Sequence, residues 1–161
     1  ADVGMLSDIT ILGVGGVGAY LVTTSATNEV GLVNSVVANC GGNGITVSKG
    51  ATSGRHNVVS NCLITGNGAY GVEVTNNSGT IAANNRLRDN TSGNFNGFGN
   101  YPTDLNNTTT AGSDTAEYVD ATNGDYRILN TSTYWGKGYG AGDGPAAAGG
   151  VDLPDVMMVG A

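Results

Sequence analysis

The chain has 161 residues, among them 28 Gly and 19 Asn, with only 12% charged residues and a formal net charge of −7. That length suits one domain with a real core, and an apolar fraction of 39% argues against disorder. The acidic balance disfavours nucleic acid and anionic membrane surfaces as partners.

Gly and Asn tolerate positive φ, so a chain rich in both turns often, and short strands between turns are expected. No apolar run approaches the length of a membrane span, which predicts no membrane insertion. The N-terminus, Ala1-Asp2-Val3, carries no signal-peptide pattern, and location cannot be read from it.

In chain order, the first unit is Leu6-Ser7-Asp8-Ile9-Thr10-Ile11, followed by the Gly-rich stretch Gly13 to Gly18 and the alternating strand Ala19-Tyr20-Leu21-Val22. The Gly stretch superficially matches a dinucleotide loop. That fingerprint needs a helix after it, whereas Tyr20-Leu21-Val22-Thr23-Thr24 reads as strand, so the stretch is expected to be a corner.

Three further units repeat the pattern. They are Leu32 to Asn39 with Gly44-Ile45-Thr46-Val47, Val59 to Gly66 with Gly71-Val72-Glu73-Val74, and Ala82 to Asp89 with Gly97-Phe98. Aligning them sets Asp8, Asn34, Asn61 and Asn84 in one column and Ile11, Val37, Ile64 and Leu87 in a second. Tyr20, Ile45, Val72 and Phe98 form a third.

A period near 25 with short alternating strands predicts a parallel β-helix, in which coils stack and bury columns of like residues. At the bend between strands, Asn can adopt the left-handed conformation and hydrogen-bond to its equivalent in the next coil. The expected fold is all-β: a short right-handed parallel β-helix of about four coils over residues 1–100. An irregular acidic capping segment of the same domain follows over 101–161. Cys40 and Cys62 fall at different positions along the coil, so two free thiols are expected.

Residues 101–161 leave the period and carry eight acids against Arg127 and Lys137, a net of −6. Tyr118 to Leu129, then Ser132-Thr133-Tyr134 and Gly136-Lys137-Gly138-Tyr139-Gly140, resembles the closing segment of right-handed parallel β-helix proteins. That group includes pectate-lyase-like and phage-tailspike-like repeats. Thr133 stands where Pro is usual in that phrase. The resemblance speaks to fold and not to function, because bacterial surface proteins, polysaccharide lyases and tailspikes share the architecture.

The lyases of this group use a Lys or Arg base and acidic residues holding calcium. Here Arg86 and Arg88 flank Leu87 and point outward together, with Asp89 beside them and Glu73 expected one coil below. This is the single acid–base constellation the sequence offers, and it reads best as a solvated charged strand face. His56 beside Arg55 reads as a loop residue. Asp120, Asp125, Asp143, Asp152 and Asp155 lack the close spacing of a calcium loop, so no resident cofactor or metal is expected, calcium being the one cation considered.

Aromatic residues concentrate in the tail, where they are expected to plug the open end of the helix, with Trp135 buried among them. No catalytic residue is assigned. Candidate binding residues are Tyr20, Tyr70, Arg86, Arg88 and Trp135. The expected role is non-enzymatic: a structural component of a virion surface or extracellular assembly, such as a phage capsid decoration or tail-associated part. Its partners would be other protein chains, in an oligomer. The rival expectation is a carbohydrate-binding or polysaccharide-cleaving fragment.

Overall fold

The computed structural model describes residues 3–25, 27–49, 56–75, 79–98, 105–110, 112 and 114–137. Coil one comprises β1 (Val3–Ser7), β2 (Thr10–Leu12) and β3 (Ala19–Thr23). Coil two repeats this with β4 (Glu29–Val33), β5 (Val36–Ala38) and β6 (Ile45–Lys49), and coil three with β7 (Asn57–Ser60), β8 (Leu63–Thr65) and β9 (Tyr70–Thr75). Coil four is β10 (Thr80–Ala83), β11 (Arg86–Arg88) and β12 (Gly93–Asn96).

Equivalent strands pair in parallel and build three four-stranded sheets, β1-β4-β7-β10, β2-β5-β8-β11 and β3-β6-β9-β12. Each short strand alternates, and its inward residues close one shared core. Leu32, Val37, Ile45, Val59, Ile64, Val72 and Leu87 are all fully buried there.

The bends between the first and second strands are made by the expected Asn column. Asp8, Asn34, Asn61 and Asn84 all have φ between 49° and 58°. The left-handed backbone turns the chain, and the amides join coil to coil: Asn61 Nδ2 donates to Asn34 Oδ1 at 3.2 Å, and Asn84 Nδ2 donates to Asn61 Oδ1. Each amide therefore satisfies the next, as in stacked Asn ladders.

The column Ile11, Val37, Ile64, Leu87 is in register as expected. The third column is not. Ile45 pairs with Ala19 on one side and with Val72 on the other, and Val72 pairs with Phe95. Tyr20 is thus one residue out of the core row, and a slip of one reverses the face. Phe98 is still buried, edge-on to Phe95 with ring centroids 5.3 Å apart.

The interior also carries two polar columns that the repeat alignment did not single out. Cys62 donates its backbone N–H to Asn85 Oδ1 at 2.9 Å, and Asn85 Nδ2 donates to the Val59 carbonyl at 2.9 Å. Cys40 likewise donates to Asn67 Oδ1, and Asn67 donates to Asn90 Oδ1. Corner peptides buried away from water need such partners. Both cysteines are free and buried.

The boundary near residue 100 is softer than the repeat suggested. Leu105 bridges Ala83 and Thr108 bridges Arg86 in parallel, Asn106 adopts φ 55°, and Asn107 Oδ1 accepts from the Asn85 N–H at 2.9 Å. Two sheets are therefore continued past coil four, on a shorter connection than the earlier units use.

After this the chain leaves the stack. The one-turn helix α1 (Asp114–Glu117) leads into β13 (Tyr118–Asp120) and β14 (Asp125–Ile128), an antiparallel pair. Asn123-Gly124-Asp125 lies at the turn, where Asp120 accepts from the Asn123 N–H and Gly124 takes φ 83°. This hairpin is a strap on the flank and not a plug. Tyr118, Tyr126 and Ile128 cover Val36, Ala38 and Leu63 on the outer face of the middle sheet, and the turn at Gly124 lies against Leu12 of coil one.

Candidate functional site

Arg86 and Arg88 do project outward from β11, as strand alternation requires, but they do not meet solvent. Their relative exposures are 0% and 2%, because the strap crosses them. Arg86 donates to both Glu117 oxygens, at 2.9 and 3.1 Å, and to the Thr110 carbonyl at 2.6 Å. Arg88 approaches Glu117 Oε2 at 3.4 Å, pairs with Asp89, and donates to the Gly112 carbonyl at 2.8 Å. The Arg86 guanidinium lies 4.3 Å from the centre of the Tyr134 ring, and that of Arg88 lies 5.2 Å from the Tyr118 ring.

This corrects the expectation of a solvated charged face. Glu117, 31 residues beyond Arg86, and Asp89 together balance the two charges, and rings roof the pair. A side chain at Gly112 would fall on the Glu117 carboxylate, so the segment can cross closely there because that position is Gly. Burial pushes the Tyr118 phenol up to about 12. Fixed in this way, the two arginines clasp the strap to coil four.

Glu73 is not beneath this clasp. It sits on β9 in another sheet and accepts from Asn43 Nδ2 at 2.6 Å and from Asn96 Nδ2 at 3.0 Å. Its outward neighbours in register are Thr46, Asn96 and, through Thr46, Tyr20.

Tyr20 is 66% exposed on the outer face of β3. Tyr70 is half-buried and donates its backbone N–H to Asn43 Oδ1. Trp135 is half-buried against the strap cluster, so it neither joins Tyr20 nor plugs an end. The five candidate residues thus occupy separate places. His56 is half-buried at the start of coil three.

Asp120 caps the hairpin turn, and Asp125 pairs with Arg127, whose hydrogen bonds hold its carboxyl below the usual carboxylate range. Asp143, Asp152 and Asp155, with Arg55, lie outside the described residues. Among the described residues no group of three or more His, Cys, Asp or Glu is placed to hold a metal ion. A shallow polar recess of about 450 Å³ lies beyond the Asn ladder, between Asn84, Asn106, Asn107, Thr108 and Lys137.

The chain matches the family model of the right-handed β-helix region over residues 2–141. The chain belongs to the right-handed β-helix family. No curated protein and no solved structure matches it. Membership accounts for the coils and leaves the site to be read from its own side chains.

In this β-helix the exposed apolar side chains gather on coil one. Of the eight large exposed apolar side chains among the described residues, seven (Val3, Met5, Leu6, Leu12, Val14, Tyr20 and Val22) belong to it. Leu6 is in register with the fully buried Leu32 yet is 47% exposed, because no described strand stacks on its other side. Ile9, Ile11 and Ala19 are likewise only partly covered, whereas Leu21 is buried. Among the described residues, the strands of coil one also leave one side of three sheets unpaired, a condition that recruits further strands. Of these seven, Tyr20 was expected from the sequence as a candidate residue; Leu6 matches its core column, and only its position at the end of the described stack exposes it.

Proposed function

We propose that this β-helix is a non-catalytic structural module of an extracellular or virion-surface assembly, joined to another protein chain through coil one. The observation that carries this reading is the concentration of exposed apolar side chains on coil one, none of whose three strands has a described strand on its outer side. Exposed apolar side chains gathered beside strand edges that no described strand pairs favour a protein partner. The basic residues that would serve polysaccharide cleavage, Arg86 and Arg88, are engaged in holding the strap. The acidic tail, net −6, favours solvent or a basic neighbour.

Crosslinking the native assembly, with the crosslinked residues mapped, tests the reading. Links from residues 3–22 to another protein chain are expected. A monomer that links to no protein and retains an oligosaccharide would overturn it.

A second reading, carbohydrate binding, is favoured by the outward row Tyr20, Thr46, Glu73 and Asn96, in which an exposed ring lies in line with a carboxylate and an amide. Aromatic faces stack on sugars, and flanking polar groups orient them. Titration with oligosaccharides, read by Tyr fluorescence and compared with Tyr20→Ala, distinguishes this reading from the first.

A further inference from the structure

Coil one presents β1, β2 and β3 as three edges around a single core, and a partner that pairs with all three at once must itself be the end of a β-solenoid. The far end of this chain is a poor candidate. Leu105 and Thr108 already occupy the positions beyond β10 and β11, where Asn84 donates to the Leu105 carbonyl at 2.7 Å and Leu87 to the Thr108 carbonyl at 2.9 Å. The open three-edged end that this chain offers is therefore coil one of a second copy.

We propose that two copies associate coil one to coil one about a two-fold axis. The proposal rests on the assembly role argued above and names its partner. A two-fold reverses strand direction and strand order, so β2 meets its own copy while β1 meets β3 of the other chain. The lengths agree, since β1 and β3 each have five residues and β2 has three.

Chemistry agrees with this pairing. With Val3 opposite Val22 and Met5 opposite Tyr20 of the second copy, apolar side chains meet on the outer face. The same register sets Leu6 opposite Ala19 on the inner face. The contact is nearly free of charge, Asp8 being the sole residue charged at neutral pH in residues 3–25, so self-association brings little like-charge repulsion. Thirteen strand residues offer about 43 Å of edge at ~3.3 Å each. Closing both ends buries on the order of 1,000 Å², near the lower bound of stable contacts. Because the contact is isologous, it closes at two copies and does not propagate into a fibre.

Light scattering coupled to size exclusion on the full chain tests this, with two edge variants. Leu6→Lys places a charge where the copies meet. Thr10→Pro removes a donor: Val36 donates to the Ile9 carbonyl, so alternation turns the Thr10 N–H to the open side. The expected result is a species of twice the 16.1 kDa chain mass at tens of micromolar. Both variants should shift it to monomer by tenfold or more in dissociation constant, with unchanged far-ultraviolet circular dichroism.

A monomeric wild type, or a dimer that survives both substitutions, would overturn the two-fold contact. If that monomer still crosslinks through residues 3–22 to a different protein, the assembly role stands and the second-copy partner alone falls. If it binds oligosaccharide and no protein, both fall.

Discussion

Arg86 and Glu117 form a two-point ion pair, with Nη2 at 2.9 and 3.1 Å from the two carboxylate oxygens, across 31 residues of chain. The guanidinium belongs to coil four and the carboxylate to the strap, so this one contact joins the repeat to the segment that interrupts it. Its position explains why the outer face of the middle sheet changes from Val36 and Leu63 to Arg86 along a single row. The first two residues meet the strap's apolar face, and the third meets its acid.

Removing one partner of such a pair strands the other in a desolvated place. Glu117→Ala is expected to cost about 3–5 kcal/mol, read as a lower urea midpoint. The double variant Arg86→Leu with Glu117→Leu should recover much of that loss, and a double variant no better than the single one would show the pair is not coupled.

Core and rim of the same coil stack should respond differently. Ile64→Ala truncates a fully buried side chain and is expected to destabilise by about 2–5 kcal/mol. Tyr20→Ala, on the outer face, should stay within roughly 0.5 kcal/mol. Thermal melts of the two variants side by side check the register. A large loss at Tyr20 measured on the monomer would contradict the outward placement.

The buried Asn columns carry a cost of their own. Asn85→Ala leaves the Cys62 N–H and the Val59 carbonyl without their amide partners, each worth about 1–3 kcal/mol when stranded. Hydrogen exchange at the Cys62 amide should accelerate in that variant before global unfolding does.

The cysteines give a chemical and a pH test. Two thiols should react with a disulfide reagent in denaturant without reductant, and react slowly in the native state. Burial raises the Cys62 thiol from 9.0 to about 12, so the folded protein holds it neutral while the unfolded chain ionises. Stability from this group is full below pH 9 and is lost as the pH climbs from 9 toward 12. Cys62→Ser should flatten that alkaline decline. The substitution is mild because Ser35, one coil earlier, already donates to the carbonyl two residues before it, as Cys62 does.

The coil stack was legible because its signals are local and recur. Asp or Asn at a left-handed bend and an apolar residue three positions later reappear in every unit, so composition and spacing alone specify the bend, the inward row Ile11-Val37-Ile64-Leu87 and the free thiols. The third column was misread by one residue at Tyr20 and by three at Phe98. Its true steps, from Ala19 to Ile45 to Val72 to Phe95, match the lengths of the first row's steps, but neighbouring apolar residues mimic one another.

What the repeat could not specify is everything set by contacts between distant segments. Whether Arg86 faces water depends on a strap that returns over it, and no property of Arg86-Leu87-Arg88 reports that return. The exposure of Leu6 is of the same kind. It holds the same place in the repeat as Leu32, two residues before the bend, and only its position at the end of the described stack leaves it uncovered. Burial belongs to the assembled surface, so the chain's pattern decides which residues point in or out, while tertiary packing decides which of them meet solvent.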